Sequence, residues 1–162
     1  MRTRRINVPL WRIVLVAMLL GALSIGSAWA SNAPPVHYRV IGYATGWNPV
    51  QDNDLDKIDT LIFAFAKVQD GRVVLSAEAA RKLRSMIALK ARDPRLKVDI
   101  SVGGWAAGGF SEAAGTAAGR KMFADSATQM LVAHDVDGLD VDWEYPGHNE
   151  SGIASSPDDR RN

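Results

Sequence analysis

Short blocks of consecutive apolar residues alternate along the chain with stretches where apolar residues return every third or fourth position. Blocks of that length are the pattern of buried strands, and the longer period is that of amphipathic helices. Residues 38–44 predict a first strand, closed by Gly46, Trp47, Asn48 and Pro49. Residues 60–66 predict a second, rich in aromatics, and Asp70-Gly71 predicts a small hairpin excursion after it. Ser76 has the chemistry of an N-cap, with Glu78 in the first turn. Ala80, Leu83, Met86 and Ile87 follow at helical spacing until Asp93-Pro94. Residues 96–102 predict a third strand, ended by Gly103-Gly104, and residues 119–134 a second helix with Phe123, Ala127 and Met130 on one face. Residues 138–142 predict a fourth strand. Finally, Ser156-Pro157-Asp158-Asp159 carries the signals of a helix start: a hydroxyl cap, proline at the first position and acids in the first turn. The sequence stops at Asn162, so the expectation is a truncated chain whose last helix begins and is not completed.

Strands alternating with helices, with near-continuous apolar strands, predict an α/β fold whose parallel sheet is covered by helices. Periodicity does not choose between an open doubly wound sheet and part of a barrel.

The first thirty residues read differently. Arg2, Arg4 and Arg5 form a positive start, residues 13–26 are uncharged and largely apolar, and Ala28-Trp29-Ala30 gives a small-x-small cleavage pattern. The apolar run is short of the roughly 20 residues a spanning helix needs. The expectation is a signal peptide over residues 1–30, cut before Ser31, and a secreted or periplasmic product with no stable membrane association. These arginines, with Arg12, account for the formal net charge of +1, and the rest of the chain is net acidic. A nucleic-acid partner is therefore not expected. With no cysteine, disulfides, zinc–thiolate sites and a cysteine nucleophile are excluded.

Chemistry concentrates in Asp137-Gly138-Leu139-Asp140-Val141-Asp142-Trp143-Glu144-Tyr145-Pro146. Strand parity places Asp140, Asp142 and Glu144 on one face and Leu139, Val141 and Trp143 on the other. Asp137 is out of phase and begins the strand. Three stacked carboxylates cannot all ionise cheaply, so at least one holds a proton at neutral pH, as general-acid chemistry requires. A metal site and a purely structural row are the competing readings. The EF-hand spacing is absent, and no histidine pair among His37, His134 and His148 has metal-ligand spacing. No metal or cofactor is expected.

That segment resembles the D-G-x-D-x-D-W-E-Y-P signature of glycoside hydrolase family 18, the chitinases and their relatives. Ser101-Val102-Gly103-Gly104-Trp105 is similar to the family's S-x-G-G-W signature on its third barrel strand. Gly42-Tyr43 with Trp47, and Phe63-Ala64-Phe65-Ala66, resemble its first two strands more loosely. The resemblance extends over residues 38–147. It implies a (β/α)8 TIM barrel of which about the first four βα units are present, so that residues 31–162 form the N-terminal half of a catalytic domain. The site then lies at the C-terminal ends of the strands.

The implied activity is hydrolysis of β-1,4-linked N-acetylglucosamine polymers such as chitin, with retention and with the substrate's acetamido oxygen as nucleophile. By the same resemblance Glu144 is the general acid and base. Asp142 orients the acetamido group, and Asp140 shares a proton with Asp142. Ser101 and Asp137 support them. Tyr43, Trp47, Phe65, Gly103, Gly104, Trp105 and Tyr145 are the candidate substrate-binding residues, since sugar faces stack on aromatic rings. Trp143 has the parity of a helix-facing residue and is as readily core. The remaining strands of the family, with its later tyrosine and tryptophan motifs, are not found, and Asp99 points inward where an apolar residue was expected. An endo-β-N-acetylglucosaminidase acting on N-glycans and a non-catalytic chitin-binding or truncated relative are the alternatives. Half a barrel on its own is expected to be inactive and poorly stable.

Overall fold

The computed structural model describes residues 38–45, 50 and 52–161. Trp47 and the expected signal peptide lie outside the described residues. The strands are β1 (Ile41–Ala44), β2 (Thr60–Gln69), β3 (Arg72–Val74), β4 (Lys97–Gly103) and β5 (Gly138–Asp142). The helices are α1 (Ala77–Ile87), α2 (Phe110–Ala114) and α3 (Ala117–His134), with 3-10 turns at Asp52–Lys57, Ala88–Ala91 and Glu150–Gly152.

The sheet runs β1-β2-β4-β5 with all neighbours parallel, and β3 pairs antiparallel with β2 as the hairpin. Helical crossovers follow from that direction: α1 links the hairpin to β4, and α3 links β4 to β5. The apolar residues of each strand alternate to one face. Leu61, Phe63, Val98, Ile100 and Val102 pack there with Leu83 and Met86 of α1 and Ala127 and Met130 of α3. The opposite face carries the polar rows. Register places Tyr43 beside Ile62, Ile62 beside Asp99, and Asp99 beside Gly138. One pleat higher, Ala64, Ser101 and Asp140 lie side by side, and Gly103 lies beside Asp142 above them.

Both helix caps arise from hydroxyls: Ser76 accepts from the Ala79 amide at 3.1 Å and Thr116 from the Gly119 amide at 3.0 Å. The first strand is shorter than residues 38–44 predict. Its start is replaced by a clasp in which the Val40 amide donates to the Asp59 carboxylate at 2.7 Å. Helix α2 is unanticipated, because five residues are too few to show a period. The helix expected from Ser156 is instead a run of turns over residues 157–161. There the Asp159 carboxylate folds back to accept from the Ser156 amide at 2.7 Å.

The inward parity of Asp99 is accommodated by a glycine opposite it. A Cβ on Gly138 would stand 2.7 Å from Asp99 Oδ1. Burial, and then the Asp137 charge, push the Asp99 carboxyl above its ordinary pKa.

Candidate active site

The inner face rises from Ser101 to Glu144 at the C-terminal end of the parallel strands. Ser101 is fully buried, and its hydroxyl donates to Asp140 Oδ2 at 2.7 Å. The Tyr43 hydroxyl donates to the same oxygen at 3.1 Å from β1. Burial and the Asp140 carboxylate raise the Tyr43 pKa, which keeps it a donor. Two hydroxyls from different strands therefore hold Asp140 in one orientation.

Asp142 stands above it. Its pKa is raised first by desolvation, then by the charges of Glu144 and Asp140 and by a hydrogen bond with Glu144; Lys67 pulls the other way. A proton on Asp142 is thus stabilised next to Glu144. Tyr145, whose pKa is raised chiefly by its hydrogen bond with Glu144, closes the row. Such a ladder can deliver a proton to a leaving group at its upper end and redistribute charge along its length.

The third-strand glycines make room for this row. A Cβ on Gly103 would lie 2.0 Å from the Asp142 carbonyl oxygen, and one on Gly104 would lie 2.9 Å from Phe65 Cε2. Both have positive φ, 123° and 90°. The Gly104 amide donates to the Asp142 carbonyl at 3.0 Å. Both glycines are buried and pack beneath Asp142 and Phe65.

Trp105 is 62% exposed and meets Tyr145 edge-on, with centroids 6.5 Å apart. The pair stands beside Glu144, open to a ligand. Phe65 is half-buried under Gly104. Trp143 turns to the helix side and stacks on Phe110 at 5.3 Å, which makes it core.

Asp137 must be corrected. It lies at the lower end of β5, away from Glu144, and binds Lys90 at 2.9 Å, Lys97 at 3.0 Å and the Val98 amide at 2.9 Å. Desolvation pushes its carboxyl up, but the Val98 amide and the two ammoniums outweigh it and bring the pKa down to about 2. It is a clasp between β4 and β5, not a support of the row. Lys67 was missed: its ammonium donates to the Gly103 carbonyl at 2.9 Å and lies 5.5 Å from the Phe65 ring centroid. Its place at the end of β2 was the available signal. Among the described residues no cluster of His, Asp and Glu could hold a metal ion.

The family model for glycosyl hydrolases family 18 matches residues 39–162. Chitinase A1 of Niallia circulans is 42% identical over 85 residues, 51% of this chain and 12% of that protein. The chitinase domain of the spore coat protein CotE from Clostridium difficile superposes with TM-score 0.72 at 41% identity, covering 82% of this chain and 37% of that one. A family 18 N-acetylglucosaminidase from Paenibacillus barengoltzii gives TM-score 0.70 at 41% identity, covering 76% and 36%. The chain thus spans little more than a third of either of these two solved relatives and 12% of Chitinase A1, and its sheet is a partial barrel.

Proposed function

The chain belongs to glycosyl hydrolase family 18, and from that premise we propose that its acidic row serves the hydrolysis of β-1,4-linked N-acetylglucosamine polymers such as chitin. Glu144 gives its proton to the glycosidic oxygen as the bond from the anomeric carbon breaks. The substrate's acetamido oxygen bonds to that carbon from the opposite side. Asp142 accepts a hydrogen bond from the acetamido N–H and offsets the positive charge that develops. Glu144, now a carboxylate, takes a proton from water, which attacks the anomeric carbon and expels the acetamido oxygen. Two inversions give net retention. Asp140 is the lower end of the ladder and stabilises the proton on Asp142 when Glu144 is charged. Trp105 and Tyr145 offer ring faces to the sugars.

What carries this reading is the row itself: Asp140 held by two hydroxyls, with Asp142 between it and Glu144, its carboxyl raised by burial and by both acidic neighbours. The likeness to an N-acetylglucosaminidase favours a second reading, in which the same site acts on shorter N-acetylglucosamine glycans, including N-glycans. The expected signal peptide fits either substrate, since both lie outside the cell. The test uses a completed barrel in which this chain supplies residues 31–162. Such a barrel is expected to cleave N-acetylglucosamine oligomers and to leave the corresponding deacetylated oligomers intact. Equal turnover of both would overturn substrate assistance, and the lengths of the products separate the two readings.

A further inference from the structure

Among the described residues Asp159 is the one buried carboxylate that the chemistry above does not use, and its surroundings are specific. It is 4% exposed, and three donors from three separate segments meet it. The Ser111 hydroxyl of α2 donates to Oδ1 at 2.8 Å. The amides of Gly147 and Ser156 donate to Oδ2 at 3.1 and 2.7 Å. Desolvation disfavours the charge, but the three donors outweigh it and hold the carboxyl below its ordinary pKa, so it is ionised at neutral pH. Neighbouring Arg160 adds a second tie, its Nε donating to the Pro146 carbonyl at 3.4 Å.

The segments joined are not arbitrary. Ser111 follows the turn that carries Trp105, a turn closed by the Ala107 amide on the Gly104 carbonyl at 3.0 Å. Gly147 lies just after Glu144 and Tyr145, in a turn closed by the His148 amide on the Tyr145 carbonyl at 3.1 Å. One carboxylate therefore bridges α2, which directly follows the loop after β4, and the loop after β5, and those loops present the two members of the exposed Trp105–Tyr145 pair.

We propose that Asp159 is a positioning residue that locks these two loops together and so sets the spacing of the Trp105–Tyr145 sugar platform. The inference rests on the glycan-binding reading of the site for its consequence, but not for the coupling itself. Asparagine at 159 keeps the volume but turns an amide NH2 towards one of the donors, so part of the bridge is lost. Ser111→Ala removes only the tie to α2.

The experiment measures amide hydrogen exchange and steady-state kinetics on Asp159→Asn and Ser111→Ala in the completed barrel. Faster exchange is expected at Gly147, Ser156 and residues 105–110 in Asp159→Asn and at residues 105–110 alone in Ser111→Ala, with β4 and α3 as protected as in the parent. KM for N-acetylglucosamine oligomers is expected to rise at least tenfold in Asp159→Asn, less in Ser111→Ala, with kcat within threefold. Exchange that is unchanged, or that rises evenly through β4 and α3, overturns the coupling, since a merely structural clasp would loosen the whole domain. A fall in kcat at constant KM overturns the platform role. If the parent barrel neither binds nor cleaves these oligomers, the glycan reading has failed, and the exchange pattern alone decides the coupling.

Discussion

Asp142 is costly to ionise where it stands, and that cost ties stability to function at the level of one side chain. Its carboxyl is raised above its unfolded pKa by burial first, then by its acidic neighbours. The folded state therefore binds more protons than the unfolded state between the two values, and its contribution to stability falls as pH rises through them. Asp142→Asn removes the ionisable group, so the variant is expected to melt at a higher temperature than the parent at pH 7, with the difference vanishing near pH 3. Turnover is expected to fall, because the amide cannot exchange a proton with Asp140. A variant that melts lower at neutral pH would show the carboxylate to be stabilising. Glu144→Gln tests the neighbouring role: kcat should fall by orders of magnitude with KM little changed, since shape and hydrogen bonding persist without the proton. Near-parental hydrolysis by that variant would falsify the assignment. Ser101→Ala should lower kcat roughly 10-fold or more, because a hydrogen bond to a charged group is worth about 1.5–3 kcal/mol, whereas Tyr43→Phe, at the longer distance, should cost less.

Strand β5 shows which features of an element can be read from its letters and which cannot. Its limits are those expected, and so is the parity that faces Asp140 and Asp142 inward, because alternation is a local property of extended chain. The cap at Ser76 and the Asp70-Gly71 hairpin were legible for the same reason. Asp137 stands at the start of the strand as its phase predicts, but its role was not legible because its partners Lys90 and Lys97 lie 47 and 40 residues away, and such contacts leave no periodic trace. Asp159 went unseen as a bridge because Ser111 lies 48 residues before it, while Pro157 and Asp158 imitate a helix start. The Asp137 clasp has a measurable consequence. With a folded pKa of about 2 against an unfolded value of 3.8, it contributes stability that is present above pH 4 and lost as pH falls towards 2, and solvent screening at this exposed position holds it to on the order of 1 kcal/mol. Asp137→Asn should therefore lower unfolding free energy by about that amount at pH 7 and have little effect at pH 2, read by denaturant titration at each pH. Equal destabilisation at both pH values would mean that the clasp acts by shape and not by charge.

At the scale of the molecule, the acidic row belongs to one wall of a ring. Among the described residues β1 and β5 pair with a strand on one side only, and Ile41 and Val141 are each 52% exposed along those outer strands. Asp140 is fixed from below and beside by Ser101 and Tyr43, and Lys67 places a positive charge near Asp142, but among the described residues no strand stands opposite them across the ring. Orienting an acetamido group against an anomeric carbon needs contacts from both sides, and such positioning can supply roughly 7–11 kcal/mol of barrier reduction. Residues 31–162 alone are therefore expected to give no measurable release of N-acetylglucosamine oligosaccharides even with Glu144 in place. Stability points the same way. Two unpaired strand edges invite further pairing, and a domain with only about 5–15 kcal/mol of net stability tolerates poorly the loss of one side of its core. Sedimentation should find self-associated species, and thermal unfolding should be broad or lack cooperativity. A stable monomer with a sharp transition and measurable turnover would show that this wall binds and orients its substrate unaided, and the position of the acetamido group would then have to be sought among Tyr43, Lys67, Trp105 and Tyr145.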